Sequence, residues 1–178
     1  MNKGLEITGR KKGTFEKLPQ TDFCVGCVVS PFKRNEAELM TQFFKLEKKV
    51  RAGADFIITQ LGYDVRKFDE VAKYMKYRNI KLPILGNVYV LNKAVARFMN
   101  RGNVPGCVVN DELLAKIEAE EKASDKGKNA RMDRAAKLTA IFRGLKFNGV
   151  HIGGFGLIRV GGWVKKKKIE SSFLVIEC

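Results

Sequence analysis

The sequence has no apolar run near the roughly 20 residues that a membrane-spanning helix needs. Its first 20 residues are basic and polar, without the apolar central block of a signal peptide. We therefore expect a soluble, cytoplasmic protein with no membrane partner. With 178 residues, 45% of them hydrophobic, the chain is long enough for one domain with its own core.

Metal-ligating side chains are also scarce. The chain has one histidine, His151, and only two of its four cysteines, Cys24 and Cys27, lie close together. Their spacing is shared with zinc and redox motifs, but it falls within a strand-like run, 23–29, where side chains three residues apart point to opposite faces. A zinc site would also need further ligands. We predict no metal site and expect the cysteines to pack as small hydrophobes.

Acidic residues are few relative to basic ones, with 19 Asp and Glu against 34 Lys and Arg and a formal charge of +15. Nucleic acid is the usual partner for such a surplus. However, the basic residues are spread along the chain, and the one dense run, Lys165 to Lys168, is typical of a solvated tail. Basic motifs interleaved with aromatics, which stack bases, are lacking. We therefore rank nucleic acid low. An anionic small molecule with phosphates or carboxylates suits the same charge balance, and charge alone does not decide between them.

The sequence does contain a regular alternation of strands and helices. Buried strands and amphipathic helices are predicted in turn, strand first, at 22–30, 36–52, 56–60, 65–78, 82–88 and 93–100. Asn35 and Asn92 are suited to cap the first and third of these helices. Strand starts about 30 residues apart indicate parallel strands joined by right-handed helical crossovers.

The later half repeats this pattern less clearly. A short strand is predicted at 104–109, a helix capped by Asn110 at 111–121, a long helix at 129–145 and a further strand at 149–154. This makes about four β-α units, whereas a closed parallel barrel needs eight. A half-barrel leaves open strand edges, so we expect either a companion polypeptide or a longer native protein.

The second predicted strand ends abruptly in two polar residues. Phe56 to Ile58 is typical of a strand buried on both faces, yet Thr59 and Gln60 follow directly. Reactive side chains in α/β proteins lie where parallel strands end, and Gln60 is therefore the first candidate site residue. The alternative is that Thr59 and Gln60 only terminate the strand.

A longer motif surrounds this strand. Residues 46–55 match Leu-x-x-Lys-Val-x-Ala-Gly-Ala-Asp, and the strand that follows ends in Thr-Gln. The motif closely resembles the methylenetetrahydrofolate reductase family, and the segments 29–33, 86–92 and 104–109 are similar to a reductase-like subgroup. The resemblance implies an α/β fold, a partial TIM (β/α)8 barrel with about the last four β-α units and parallel strands. It divides the chain into a basic N-terminal segment at 1–21, the partial barrel at 22–157 and a divergent basic C-terminal tail at 158–178.

The resemblance also implies a function. Members of the family bind FAD and use NADH or NADPH to reduce 5,10-methylenetetrahydrofolate to 5-methyltetrahydrofolate. Gln60 falls where the family places a glutamine beside flavin and folate, and Ser30 falls at a strand end that approaches the flavin. Lys49, with Lys45 and Lys48 on the same helix, falls where the family contacts the flavin cofactor; a solvated helix face is the alternative for these lysines.

The chain departs from the family pattern in two places. The family's acidic proton donor lies on a strand that precedes the first strand found here, so no catalytic residue is assigned. Residues 153–157, Gly-Gly-Phe-Gly-Leu, replace the run that carries the family's folate-binding arginine. We therefore expect a fragment that needs a companion chain or a homo-oligomer to complete the barrel. The alternative is a non-enzymatic basic binding module, or a subunit that needs a partner chain.

Overall fold

The computed structural model describes residues 8–11, 14–17, 22–154 and 174–177. The strands are β1 Thr8–Lys11, β2 Thr14–Lys17, β3 Gly26–Val29, β4 Phe56–Thr59, β5 Ile84–Tyr89, β6 Gly149–Gly153 and β7 Leu174–Glu177. The helices are α1 Glu36–Arg51, α2 Val65–Tyr77, α3 Lys93–Asn100, α4 Asp111–Glu120 and α5 Lys128–Gly144. Within these described ranges, no helix is both long and apolar enough to cross a membrane.

The main sheet is parallel and has the order β3-β4-β5-β6-β7. This order confirms the predicted α/β fold with parallel strands and helical crossovers. β1 and β2 form a separate antiparallel pair. β7 comes from within the predicted C-terminal tail and pairs with β6, whereas Lys165 to Lys168 lies outside the described residues. The proposed boundaries at 21 and 157 stay predictions.

Helix starts follow the predicted capping residues. The side chains of Asn35, Asn92 and Asn110 each accept a hydrogen bond from a backbone N–H in the first turn of α1, α3 and α4. Asp64 does the same for α2. Such caps satisfy N–H groups that have no partner within the helix, which is why the local sequence placed these helix starts correctly.

The strand predicted at 104–109 is wrong. These residues form a loop between α3 and α4, in which the Cys107 N–H donates to the Val104 carbonyl at 3.1 Å. Gly106 has a φ of +77°, which is outside the range of a strand. Pro105 and Gly106 together favour a turn, and this local preference outweighs the apolar pattern of their neighbours.

The main core fills the space between the sheet and helices α1, α2 and α5. Four rings form its centre: Phe32 contacts Phe68, Phe68 contacts Phe142, and Phe142 contacts Phe147, with centroid separations of 5.2, 4.6 and 5.0 Å. Each of these side chains is at least nine-tenths buried. Tilted and edge-on ring pairs of this kind add to the stabilisation from buried area.

A second apolar cluster joins α3 and α4 to the ends of the strands. It contains Leu91, Ala96, Met99, Cys107, Val109 and Ile117, all buried. The Arg97 guanidinium also bonds to Glu118 across the two helices at 2.6 Å. The α3–α4 segment, residues 93–120, therefore has its own small core above the C-terminal ends of β4 and β5.

The opposite face of the sheet, here called the inner face, is less covered. Because side chains alternate along a strand, Ile57 and Thr59 point to the helices while Phe56, Ile58 and Gln60 point to the inner face. The inner-face residues are partly exposed, whereas Ile57 and Thr59 are fully buried. A sheet with helices on one face and a half-covered second face is consistent with the predicted partial barrel.

Candidate functional site

Ser30 and Gln60 lie side by side at the C-terminal ends of neighbouring strands. The register pairs Val29 with Thr59, so the residue after each falls on the same edge of the sheet. The Gln60 backbone N–H donates to the Val29 carbonyl at 2.7 Å. Both predicted site residues follow a strand that ends at this point, and both belong to the inner face by alternation.

The two polar residues that end β4 have different roles. Thr59 is fully buried against the helix side, and its hydroxyl accepts a hydrogen bond from the Asn87 N–H at 3.0 Å. Thr59 therefore links β4 to β5 and has no access to a ligand. Gln60 is only partly buried, on the opposite face. Thr59 therefore only terminates the strand, whereas Gln60 remains a candidate site residue.

Gly106 covers the pair from the α3–α4 segment. A Cβ atom on Gly106 would lie 3.1 Å from Ser30 Oγ and 3.6 Å from Gln60 Nε2. A side chain there would press on the Ser30 hydroxyl and touch the Gln60 amide, and the φ of +77° also favours glycine. Ser30, Gln60 and Gly106 together are called the Ser30–Gln60 site.

Hydrogen-bonding capacity remains in this site. Ser30 Oγ is buried and has no hydrogen-bond partner among the described residues. Gln60 Oε1 accepts from the Leu61 N–H at 3.0 Å, and in this orientation the amide nitrogen faces Gly106. A buried hydroxyl without a partner is costly unless a ligand or water satisfies it. The site therefore suits a ligand that both donates and accepts hydrogen bonds.

The three candidate lysines lie on α1. Lys49 Nζ donates to the Val28 carbonyl at 2.7 Å, on the strand that leads to Ser30. Lys45 and Lys48 are exposed and make no ion pair in the part of the chain that the structure describes. The structure thus brings Ser30 and Gln60 together, and it places only Lys49 against the same strand. The assigned roles of all five residues stay predictions.

Two polar pairs near the site were missed in the sequence. The Tyr63 hydroxyl donates to the Tyr89 carbonyl at 3.3 Å, and burial raises the pKa of the Tyr63 phenol, so that it stays protonated. On the inner face, His151 Nδ1 lies 3.4 Å from Asn87 Oδ1. The register of β5 and β6 sets that pair, and no local pattern in the sequence reveals it.

Gly106 was also missed as a site residue, because the segment around it was predicted to be a strand. The Pro105–Gly106 dipeptide carried the necessary signal, since such dipeptides mark turns. A turn after a helix can fold back over a strand end, whereas a strand would have extended away from it.

The cysteines differ in exposure. Cys27 and Cys107 are buried, and burial raises the pKa of both thiols. Cys24 is exposed, so the expectation that the cysteines pack as small hydrophobes is wrong for this residue. Residues 22–25 precede β3 without strand pairing of their own, which leaves Cys24 outside the core. Among the described residues, no group of three or more His, Cys, Asp or Glu side chains could hold a metal ion.

Fold and site together define a class of protein. Parallel β/α units with polar residues converging at the C-terminal ends of adjacent strands are the arrangement of α/β-barrel enzymes. A family model described as methylenetetrahydrofolate reductase matches residues 16–154. The chain belongs to the methylenetetrahydrofolate reductase family, which confirms the resemblance found in the sequence. Membership places the chain among folate-related oxidoreductases of one-carbon metabolism.

Proposed function

We propose that this chain forms part of a flavin-dependent enzyme that reduces 5,10-methylenetetrahydrofolate to 5-methyltetrahydrofolate with NADH or NADPH, in the cytoplasm. The observation that carries the proposal is the Ser30–Gln60 site. A buried, unpartnered hydroxyl and a partly buried amide meet at the ends of two adjacent strands, beneath a residue with no side chain. In a family of folate-related reductases, this is a place for a flavin or pterin edge.

The residues present fit FAD. Ser30 Oγ supplies a donor or acceptor to a group on the inner face, and the Gln60 amide orients a ring edge that has both donors and acceptors. Lysines such as Lys45, Lys48 and Lys49 suit the diphosphate of the cofactor as mobile point charges. FAD, when bound, supplies the hydride chemistry. The chain itself contributes orientation and the exclusion of water by Gly106 and its loop.

A second polypeptide, or a second copy of this chain, would complete the barrel. Within the described residues, β3 is the first strand of the sheet and pairs only with β4. A barrel closes all its strand edges, and the proton donor of the family is not among the residues assigned here. The full reaction therefore depends on residues that this completing chain brings.

The decisive experiment replaces Gln60 by glutamate in the assembled enzyme. Folate turnover should fall by about 10- to 1000-fold, the scale of losing one positioned polar contact at a reacting centre. Reduction of the flavin by the nicotinamide should fall less, because that half-reaction does not need the pterin contact. The exposed Asn129→Asp, on α5, makes the same amide-to-carboxylate change away from the site and should leave both rates unchanged.

Two results would contradict the proposal. If Gln60→Glu leaves folate turnover unchanged while the far-ultraviolet circular dichroism stays native, Gln60 has no part in the reaction. If the purified chain binds nucleic acid tightly, with a steep loss of affinity as salt rises, and shows no response to FAD with or without a completing chain, the binding-module alternative is correct.

A further inference from the structure

A large cleft lies beside the Ser30–Gln60 site but outside it. It has a volume of about 890 Å³ and is enclosed by the start of α2, the α3–α4 segment and the middle of α5. Its floor is apolar, with Phe32, Met99 and Leu138 among the lining residues. Small-molecule sites are typically clefts of roughly 300–1,000 Å³ with an apolar lining and a few polar groups, so this cleft has the size of a ligand site.

The polar groups around this cleft are mainly cationic. Lys33, Arg34, Lys116 and Lys137 line it, and none of them makes an ion pair in the described part of the chain. The acidic side chains of the lining are Asp64 and Glu112, and the Asp64 carboxylate is already bonded by Arg66 at 3.1 Å. The cleft therefore carries an excess of positive charge that the protein itself does not neutralise.

The start of α2 adds to this positive charge. Its first turn contains no acidic residue and has Arg66 and Lys67, both of which line the cleft. A helix N-terminus is the positive end of the helix dipole, where acidic residues stabilise and basic ones do not. The Arg66 guanidinium is paired with the Asp64 carboxylate and the Lys67 ammonium with Glu70, so these two residues add only part of their charge to the cleft.

Arg134 provides an independent observation. Its side chain is only 19% exposed, and one guanidinium nitrogen, Nη2, bonds to Glu120. The other, Nη1, is buried and has no hydrogen-bond partner among the described residues. A buried cationic donor without an acceptor is costly, and guanidinium groups match the oxygens of phosphates in particular.

We infer that this basic cleft binds an organic phosphate, with the phosphate or diphosphate held by Arg134 and the surrounding lysines and an apolar group on the Phe32–Leu138 floor. The aromatic side chains of the lining are Phe32, which is buried, and Tyr63, which is mostly so. A nucleic-acid surface would instead present exposed aromatics for stacking. Binding at this cleft does not depend on the reductase activity proposed above.

Isothermal titration calorimetry of the full chain with three probes tests the inference. ADP carries a diphosphate and a nucleoside whose base has apolar ring faces, pyrophosphate carries only the anion, and adenosine carries only the nucleoside. We expect ADP to bind most tightly, and adenosine to bind at least about tenfold more weakly, the scale of losing one or two charge-assisted hydrogen bonds.

Paired charge reversals locate the binding site. Lys116→Glu with Lys137→Glu changes two exposed lysines of the cleft and should weaken ADP by about tenfold or more. Lys76→Glu with Lys81→Glu makes the same change in net charge away from the cleft, at two other exposed positions. This control should stay within about threefold of the wild type.

Four results would overturn the inference. One is the absence of binding by both ADP and pyrophosphate at low salt. Another is an equal loss of ADP affinity in both double variants, which would indicate a general effect of surface charge. Loss of ADP binding in Lys45→Glu with Lys48→Glu, with the cleft variant unaffected, would place the nucleotide at the predicted flavin site and support the reductase proposal instead. A short RNA that displaces ADP and binds more tightly than it would indicate a nucleic-acid surface.

Discussion

Glu47 is a buried carboxylate with three side-chain partners. It accepts from both Arg78 Nε and Arg78 Nη2, at 2.8 and 2.9 Å, from Arg51 on the same helix and from the Tyr74 hydroxyl. The hydrogen bonds, that of Arg78 foremost, lower the pKa of Glu47 to about 2. Burial and the bond to Glu47 raise the pKa of Tyr74 to about 12. The network fastens α1 to the end of α2.

A first prediction concerns the pH dependence of this network. The pKa of Glu47 is about 2 in the folded protein, below its ordinary value of 4.5, so the unfolded chain binds the proton first. The stabilisation is therefore complete above about pH 4.5 and is lost as the pH falls towards about 2. Glu47→Gln should lower the melting temperature at neutral pH, and its curve should approach that of the wild type in acid.

Thermal unfolding followed by circular dichroism, at intervals across this pH range, measures the effect. Glu38→Gln makes the same change at an exposed position of α1 and should shift the melting temperature little. A constant difference between Glu47→Gln and the wild type at every pH would mean that the charge of Glu47 does not carry the stabilisation.

Some of the residues that matter for the site or for stability can be identified from the sequence, and others cannot. Gln60 stands out locally, because a polar side chain interrupts an apolar strand at its end. Glu47 does not, because it is one of several charged residues on an amphipathic helix, and only the arrangement of α1 against α2 brings Tyr74 and Arg78 to it. Ion-pair networks between elements depend on tertiary geometry, which hydrophobic periodicity does not encode.

Among the secondary-structure elements, β5 depends on a glycine beneath an aromatic ring. A Cβ atom on Gly86 would lie 2.4 Å from ring atoms of Phe142 on α5. Phe142 is fully buried and its ring contacts those of Phe68 and Phe147, so moving it away would disturb both contacts. The close approach of α5 to the sheet therefore requires the absence of a side chain at Gly86.

We expect Gly86→Ala to lower the free energy of unfolding by about 1–3 kcal/mol, the usual effect of overpacking a core. Gly144→Ala is the matched control, since nothing lies within 4 Å of its added methyl group at the end of α5. It should be neutral, or stabilising by up to about 1 kcal/mol through helix propensity. Urea denaturation separates the two; similar effects for both variants would show that Phe142 accommodates the methyl group.

Elements with strong local signals were predicted to within a few residues. Helices α1 to α4 begin at capping residues, and β3, β4 and β5 are short, mainly apolar runs that precede α1, α2 and α3. The strand predicted at 104–109 failed because a Pro–Gly turn overrides an apolar pattern there. β7 was not predicted, since nothing in the sequence of the tail reveals that β6 offers it an edge. The position of Gly106 over Ser30 and Gln60 likewise arises only when the loop folds back.

At the scale of the whole molecule, the main feature is the edge of β3, which pairs with no strand other than β4 among the described residues. The carbonyls of Val25 and Val29 accept hydrogen bonds from β4 and the residues beside it. Because backbone groups alternate in direction along a strand, the backbone N–H and C=O groups of Gly26 and Val28 point away from β4. The Val28 carbonyl accepts a hydrogen bond from the Lys49 ammonium group. Phe23, Val28 and Phe44, on β3 and the elements next to it, are exposed apolar side chains. Open edges flanked by apolar groups favour the addition of another strand.

We expect this edge to drive self-association of the 20.0 kDa chain. Each copy carries a charge of +15, so the copies repel one another and association should strengthen as salt screens the charge. Val28→Lys should abolish association, and Val108→Lys, at an equally exposed valine of the α3–α4 segment, should not. Sedimentation equilibrium measures both. A mass of one chain at every salt concentration would contradict self-association through this edge.

The two separate apolar cores have a consequence for local opening. Cys27 lies in the main core and Cys107 in the core of the α3–α4 segment, so each buried thiol is protected only while its own core is closed. Parts of a protein that open independently exchange at different rates. Pulsed alkylation under native conditions, with exposed Cys24 as the internal reference, therefore reports the opening frequency of each core separately. Faster modification of Cys107 than of Cys27 would show the α3–α4 segment lifting from the Ser30–Gln60 site while the sheet stays folded.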